Sequence, residues 1–133
     1  MGYNRRWSEA AQRAAERRQR EDAAPRLLAE VPNLTSLALT IDERRPSGSL
    51  AGGSHIRRVM VQTAPALFNL PCSDRSCNDG GHDCTRAVMN ALRASQTRFE
   101  HESTCHGHLG STGAPCEAVL RYVGVATYDP PTT

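Results

Sequence analysis

The sequence predicts an α+β domain in two layers: a small antiparallel sheet of about four strands with one packed helix, joined to an N-terminal helical arm and a zinc knuckle. Three observations carry this. Four segments alternate apolar and polar residues with the period of a strand. One segment repeats its apolar residues at i, i+3, i+4 and i+7, the period of an amphipathic helix. Between them lie loops rich in Gly, Asn, Asp and Ser that hold most of the Cys and His of the chain.

Residues 8–24 read as the arm helix. Ala, Arg, Glu and Gln dominate, all good helix formers, with Ser8 as the expected N-cap and Pro25 as the stop. Its apolar residues are Trp7 and a set of alanines, which bury little, so the arm lies outside the core. Leu37, Leu39 and Ile41 alternate with smaller residues as a half-buried strand. The stretch 44–54 is turn-rich and reads as a loose hairpin loop. His55 to Thr63 is the second strand, with Ile56, Val59 and Val61 as its apolar members; Pro65 interrupts it and Leu67, Phe68 and Leu70 continue an apolar path.

Cys72 to Gly81 is turn chemistry throughout. Asp83 is the expected N-cap of a second helix whose apolar face is Thr85, Val88, Met89 and Leu92 and which ends near Ser95. Thr97 to Cys105 alternates again around Phe99. After a glycine-rich loop, Cys116 to Tyr128 is the strongest strand, apolar on both sides, which places it centrally in the sheet. The expected organisation is an arm over 1–26, a zinc-stapled domain over 27–128 and a frayed tail over 129–133.

The cysteines and histidines run Cys72-x4-Cys77-x4-His82-x-Cys84, then, after twenty intervening residues, Cys105-His106-x-His108, then Cys116. Zn²⁺ takes four soft or borderline ligands in a tetrahedron, usually from two loops brought together. Two Cys-bearing loops that each begin where a strand ends supply that geometry. The expected ligands are Cys72, Cys77, Cys105 and Cys116, with His82 as first substitute and His106 and His108 after it; eight potential ligands also leave room for a second ion. Cys84, one turn into a helix, reads as a small buried hydrophobe, and His55 and His101 read as ordinary strand histidines. Hydrophobic residues make up 38% of the 133 residues and aromatics 5%, a lean core that gains from a metal staple; structural zinc contributes about 10–16 kcal/mol in small zinc peptides.

Several chemistries lack their sequence motif here. His-x-Glu before Pro-Cys-x-x-Cys, the zinc-deaminase pattern, is missing, as are His-Glu-x-x-His and Gly-x-Ser-x-Gly. No Cys-x-x-Cys opens a helix, which disfavours thiol redox catalysis. No apolar run is long enough for a membrane helix, and no apolar h-region follows the first charges, so the expected address is cytoplasmic, where thiols stay reduced.

The net charge is +2, too small to declare a nucleic-acid partner. All 16 basic residues are Arg, a set suited to bidentate phosphate contacts but also expected from codon bias. Arg5, Arg6, Arg13, Arg17, Arg18 and Arg20 concentrate on the arm, beside Tyr3 and Trp7, and are its expected partner-binding residues. The chain therefore reads as a non-enzymatic, zinc-binding cytoplasmic module that docks on a protein or nucleic-acid assembly through its arm, with no membrane partner. The alternative is a small zinc-dependent hydrolase with an open coordination position.

Overall fold

The computed structural model describes residues 2–48, 54–72, 74, 77–78, 80–110 and 112–130, with the backbone alone for 2–10 and 78. Its elements are α1 (Gly2–Ala23), α2 (Leu27–Glu30), β1 (Leu34–Arg44), β2 (His55–Val59), β3 (Asn69–Pro71), β4 (Cys77–Asn78), β5 (Gly81–Asp83), α3 (Thr85–Arg93), β6 (Arg98–Thr104), β7 (His108–Leu109) and β8 (Val119–Tyr128). The fold is mixed α+β around a four-stranded antiparallel sheet of order β2-β1-β8-β6. Two small antiparallel pairs, β3 with β5 and β4 with β7, lie outside that sheet.

The period-two pattern sets the faces of the sheet. Leu37, Leu39 and Ile41 of β1 and Leu120, Tyr122 and Ala126 of β8 are buried on one face. Val88, Met89, Ala91 and Leu92 of α3 join the same core, together with Leu27 of α2, Leu70 of β3, and Val31, Val61 and Phe68 from the connecting segments. The amphipathic period of α3 is what closes this layer. On the opposite face, Val125 of β8 is 48% exposed and Ile56 of β2 is 60% exposed. β8 is central, between β1 and β6, yet one of its two apolar sides faces outward.

One close approach in the sheet depends on a glycine. Phe99 and Gly124 are paired across β6 and β8, and a Cβ on Gly124 would sit 2.3 Å from the Phe99 ring. The ring is itself buried and meets Tyr122 edge-on, with centroids 6.3 Å apart. Gly124→Ala is therefore expected to cost about 1–3 kcal/mol through overpacking, read as a lower denaturant midpoint; an unchanged midpoint would contradict this packing.

The structure corrects the sequence reading at several places. α1 begins at Gly2, so Ser8 has helix on both sides and no terminus to cap. The second strand stops at Val59, where Thr63 and Ala64 donate N–H bonds to the Met60 carbonyl and turn the chain; Val61 is buried in that turn, outside any strand. Asp83 belongs to β5, and its carboxylate accepts the Thr85 N–H at 3.1 Å, an Asx turn beside the helix, while Cys84 holds the cap position. Thr85 Oγ1 instead accepts the Phe68 N–H at 2.8 Å, fixing the start of α3 against the core. Of the loop expected over 44–54, residues 49–53 lie outside the described residues, as do 131–133 of the expected tail; Asp129 is tied to Asn33 by an N–H to carbonyl bond of 2.7 Å. No helix among the described residues is long and apolar enough to cross a membrane.

Candidate metal centre

At one end of the sheet, where β6 ends and β8 begins, two loops meet. Cys105 directly follows β6, and Cys116 lies three residues before β8. Cys72 directly follows β3, and Cys77 opens β4. β4 pairs with β7, Cys77 opposite Leu109, which lays the first Cys loop onto the second. Backbone bonds from Cys105 N–H to Ala118 at 2.8 Å and from Cys116 N–H to Gly107 at 2.9 Å fold the second loop back on itself.

The sulfurs of Cys72, Cys77, Cys105 and Cys116 all lie within 4.8 Å of one another, and this group could hold a metal ion. Cys72 and Cys116 Sγ are 3.8 Å apart, and Cys77 and Cys105 Sγ are 3.7 Å apart. A regular tetrahedron with metal–sulfur arms of about 2.3 Å has edges of about 3.8 Å. The observed separations match those edges, and all four thiols are free of disulfides. Both of these contacts run between the two loops, so an ion here would tie one loop to the other.

The electrostatics of the four thiols are uneven. Burial pushes the Cys72 thiol up, opposed by the Asp74 N–H that its sulfur accepts and reinforced by the Glu43 carboxylate. Cys77 is pushed up to about 12 by burial and then by the thiols of Cys105 and Cys116. Burial raises Cys105 too, but the N–H groups of Gly107 and Gly81 and the Cys77 and Cys72 thiols outweigh it, so the net shift is downward. The Gly107 N–H lies 3.4 Å from Cys105 Sγ. Of Cys72, Cys77 and Cys105, Cys105 is the one whose surroundings favour the thiolate.

Gly80 sits inside this arrangement. A Cβ placed on it would lie 2.3 Å from Cys77 Sγ, 2.5 Å from Cys105 Sγ and 3.2 Å from Cys72 Cβ. Only a glycine lets the backbone pass that close to the sulfurs.

Among the other expected site residues, His82 lies beside the sulfurs and outside their tetrahedron. It is 3% exposed, on β5, with Nε2 2.8 Å from Glu43 Oε2 and Nδ1 3.1 Å from Ser103 Oγ. Glu43, Cys72 and His82 form a second close group, each offering one atom within 4.8 Å of the others. A nitrogen and an oxygen sharing a tetrahedral zinc would be about 3.3 Å apart. The 2.8 Å between His82 and Glu43 is instead a hydrogen bond. His106 and His108 are exposed and belong to neither group. Cys84 is 1% exposed in the main core, pushed up to about 11 by burial and then by the Asp83 charge. On α1, Arg13, Arg17, Arg18 and Arg20 are exposed; the side chains of Arg5 and Arg6, and of Tyr3 and Trp7, lie outside the described residues.

Glu43 and Ser103 escaped the sequence reading, although a signal for Glu43 was present. The alternation Leu37, Leu39, Ile41 continues to Glu43, which puts a carboxylate at an inward position of β1. Ser103 pairs with Leu120, and so does Glu43, so the three form one row across the inner face. Nothing local reveals that row, because it depends on the register of three strands.

Comparison with family models, with curated proteins and with solved structures found no match to this chain.

Proposed function

We propose that the chain is a non-enzymatic zinc-binding module in which one Zn²⁺ joins Cys72, Cys77, Cys105 and Cys116 and staples two loops onto the end of a sheet. The observation that carries this reading is the pair of sulfur separations, 3.7 and 3.8 Å, which are those of a tetrathiolate tetrahedron. Thiolates favour zinc over the harder divalent cations that prefer oxygen. Four thiolates complete the coordination shell, which favours a structural role over the hydrolase alternative; a catalytic zinc keeps a position for water. His82, engaged with Glu43 and Ser103, is the ligand of second choice.

The small hydrophobic cluster around the site supports the same reading. Cys105, Cys116 and Ala118 are its buried members, with Cys72, Cys77 and Leu109 packed against them. So little apolar surface cannot hold two loops together by burial alone. A reducing, cytoplasmic setting keeps such thiols available to an ion. Residues 27–128 then act as the zinc-stapled domain, and residues 1–26 as an arm that docks on a protein or nucleic-acid assembly. Exposed Arg13, Arg17, Arg18 and Arg20 support the arm's role in contact with a partner.

Metal analysis of the purified chain tests the proposal: about one zinc per chain is expected, surviving dialysis and lost together with structure when a strong chelator is added. Metal-free protein indifferent to the chelator would remove the reading. For the arm, titration with single-stranded RNA separates the partner classes. Nucleic-acid docking predicts affinity that falls steeply with salt and with Arg17→Ala and Arg18→Ala together; absent or salt-insensitive binding would leave a protein partner.

A further inference from the structure

We propose that Glu43 is the positioning residue of the metal centre: braced by His82 and Ser103, its carboxylate holds the Cys72 sulfur at its corner of the tetrahedron before an ion is bound. The proposal deepens the zinc reading and rests on it.

Three observations combine. First, Glu43 is 1% exposed and His82 3% exposed, so a hydrogen-bonded ionisable pair is sealed inside the domain. Desolvation offsets most of the attraction in such a pair, so stabilising the fold is a poor account of it. Second, the pair is held from both sides. Glu43 and Ser103 both lie opposite Leu120 in the sheet, and the His82 ring from β5 bridges them, with Nε2 to Glu43 and Nδ1 to Ser103. A carboxyl group fixed in this way has little freedom to move. Third, Glu43 reaches the metal site itself: a carboxylate oxygen lies within 4.8 Å of both Cys72 Sγ and a His82 ring nitrogen.

Cys72 is the corner that needs such help. Cys105 and Cys116 are buried between strand ends, and Cys77 is paired in β4. Cys72 is half-buried in the loop after β3, and its local anchor is the Asp74 N–H. Holding it through Glu43 prepays the ordering of the least anchored ligand, which is the usual work of groups outside the coordination shell.

The test uses the full chain with cobalt(II) as the probe, whose thiolate charge-transfer band reports sulfur ligation. Affinity is read by chelator competition. Val88→Ala serves as a control for lost stability, since Val88 is fully buried on α3 in the main core and outside both ligand groups. Glu43→Ala is expected to weaken cobalt binding about 10–100-fold beyond the control. Glu43→Gln keeps an acceptor for His82 and gives the sulfur an amide N–H in place of the carboxylate oxygen, and is expected to restore affinity to within about threefold of the unaltered chain. Glu43→Ala equal to the control, or Glu43→Gln as damaging as Glu43→Ala, would overturn the proposal. Should Glu43→Ala fail to fold, Ser103→Ala carries the test, because it removes the far brace alone: a weakening of several-fold supports the proposal and unchanged affinity overturns it. An unaltered chain without a thiolate–cobalt band is a different result, which would sink the zinc reading and this inference with it.

Discussion

Chelating the zinc is expected to melt the cysteine-bearing end of the molecule while the sheet core stays folded. The two parts are held by different forces. The main core buries Leu27, Leu39, Val88, Leu92, Leu120 and Tyr122 almost completely, together with Phe68. The second cluster has Ala118 and Leu109 as its apolar members besides the cysteines. Structural zinc supplies about 10–16 kcal/mol in small peptides, far more than two small apolar contacts. Hydrogen exchange reads the outcome amide by amide. Cys105, bonded to Ala118, Leu109, bonded to Ala114, and Cys116, bonded to Gly107, should lose protection on chelation. Amides at the centre of β1 and β8, around Leu39 and Gly124, should keep theirs. Cys105→Ser should reproduce the effect in the presence of zinc, since it removes the sulfur that backbone N–H groups prepare as a thiolate. Protection unchanged at the cysteine end would show that the loops need no ion.

Gly80→Ala is expected to weaken zinc binding by at least two powers of ten, about 3 kcal/mol. A Cβ there would stand 2.3 Å from Cys77 Sγ and 2.5 Å from Cys105 Sγ. In the metal-free chain the two sulfurs can rotate away, so the fold should tolerate the change. Once an ion fixes the sulfurs at tetrahedral corners, they have nowhere to go. The substitution thus separates a metal centre from a set of merely adjacent thiols. Large loss of affinity with little change in the stability of the metal-free protein is the expected pattern. Equal zinc affinity in the two proteins would mean that the sulfurs are not held where the ion needs them.

How much was legible in the sequence followed from the range of each signal. The inward residues of β1, the apolar face of α3 and the central place of β8 follow from periodicity within ten or so residues, and that is where sequence and structure agree best. The convergence of the four cysteines was legible as well, because strand ends and turn residues mark loops whatever the register. The strands β3, β4, β5 and β7 are two or three residues long, too short for any period to register. Val119, Val123 and Val125 look like core residues, yet they lie on the side of β8 away from α3, and which side a single helix covers is a tertiary matter. His82 drew attention as a ligand because it neighbours the cysteines in sequence. Its actual partners, Glu43 and Ser103, are 39 and 21 residues away, and only the assembled sheet brings them together.

X-ray absorption at the zinc edge of the metal-loaded protein addresses the central claim most directly. The account predicts a single shell of four sulfurs at about 2.3 Å. A nitrogen or oxygen in that shell, from His82, another histidine or water, would contradict it.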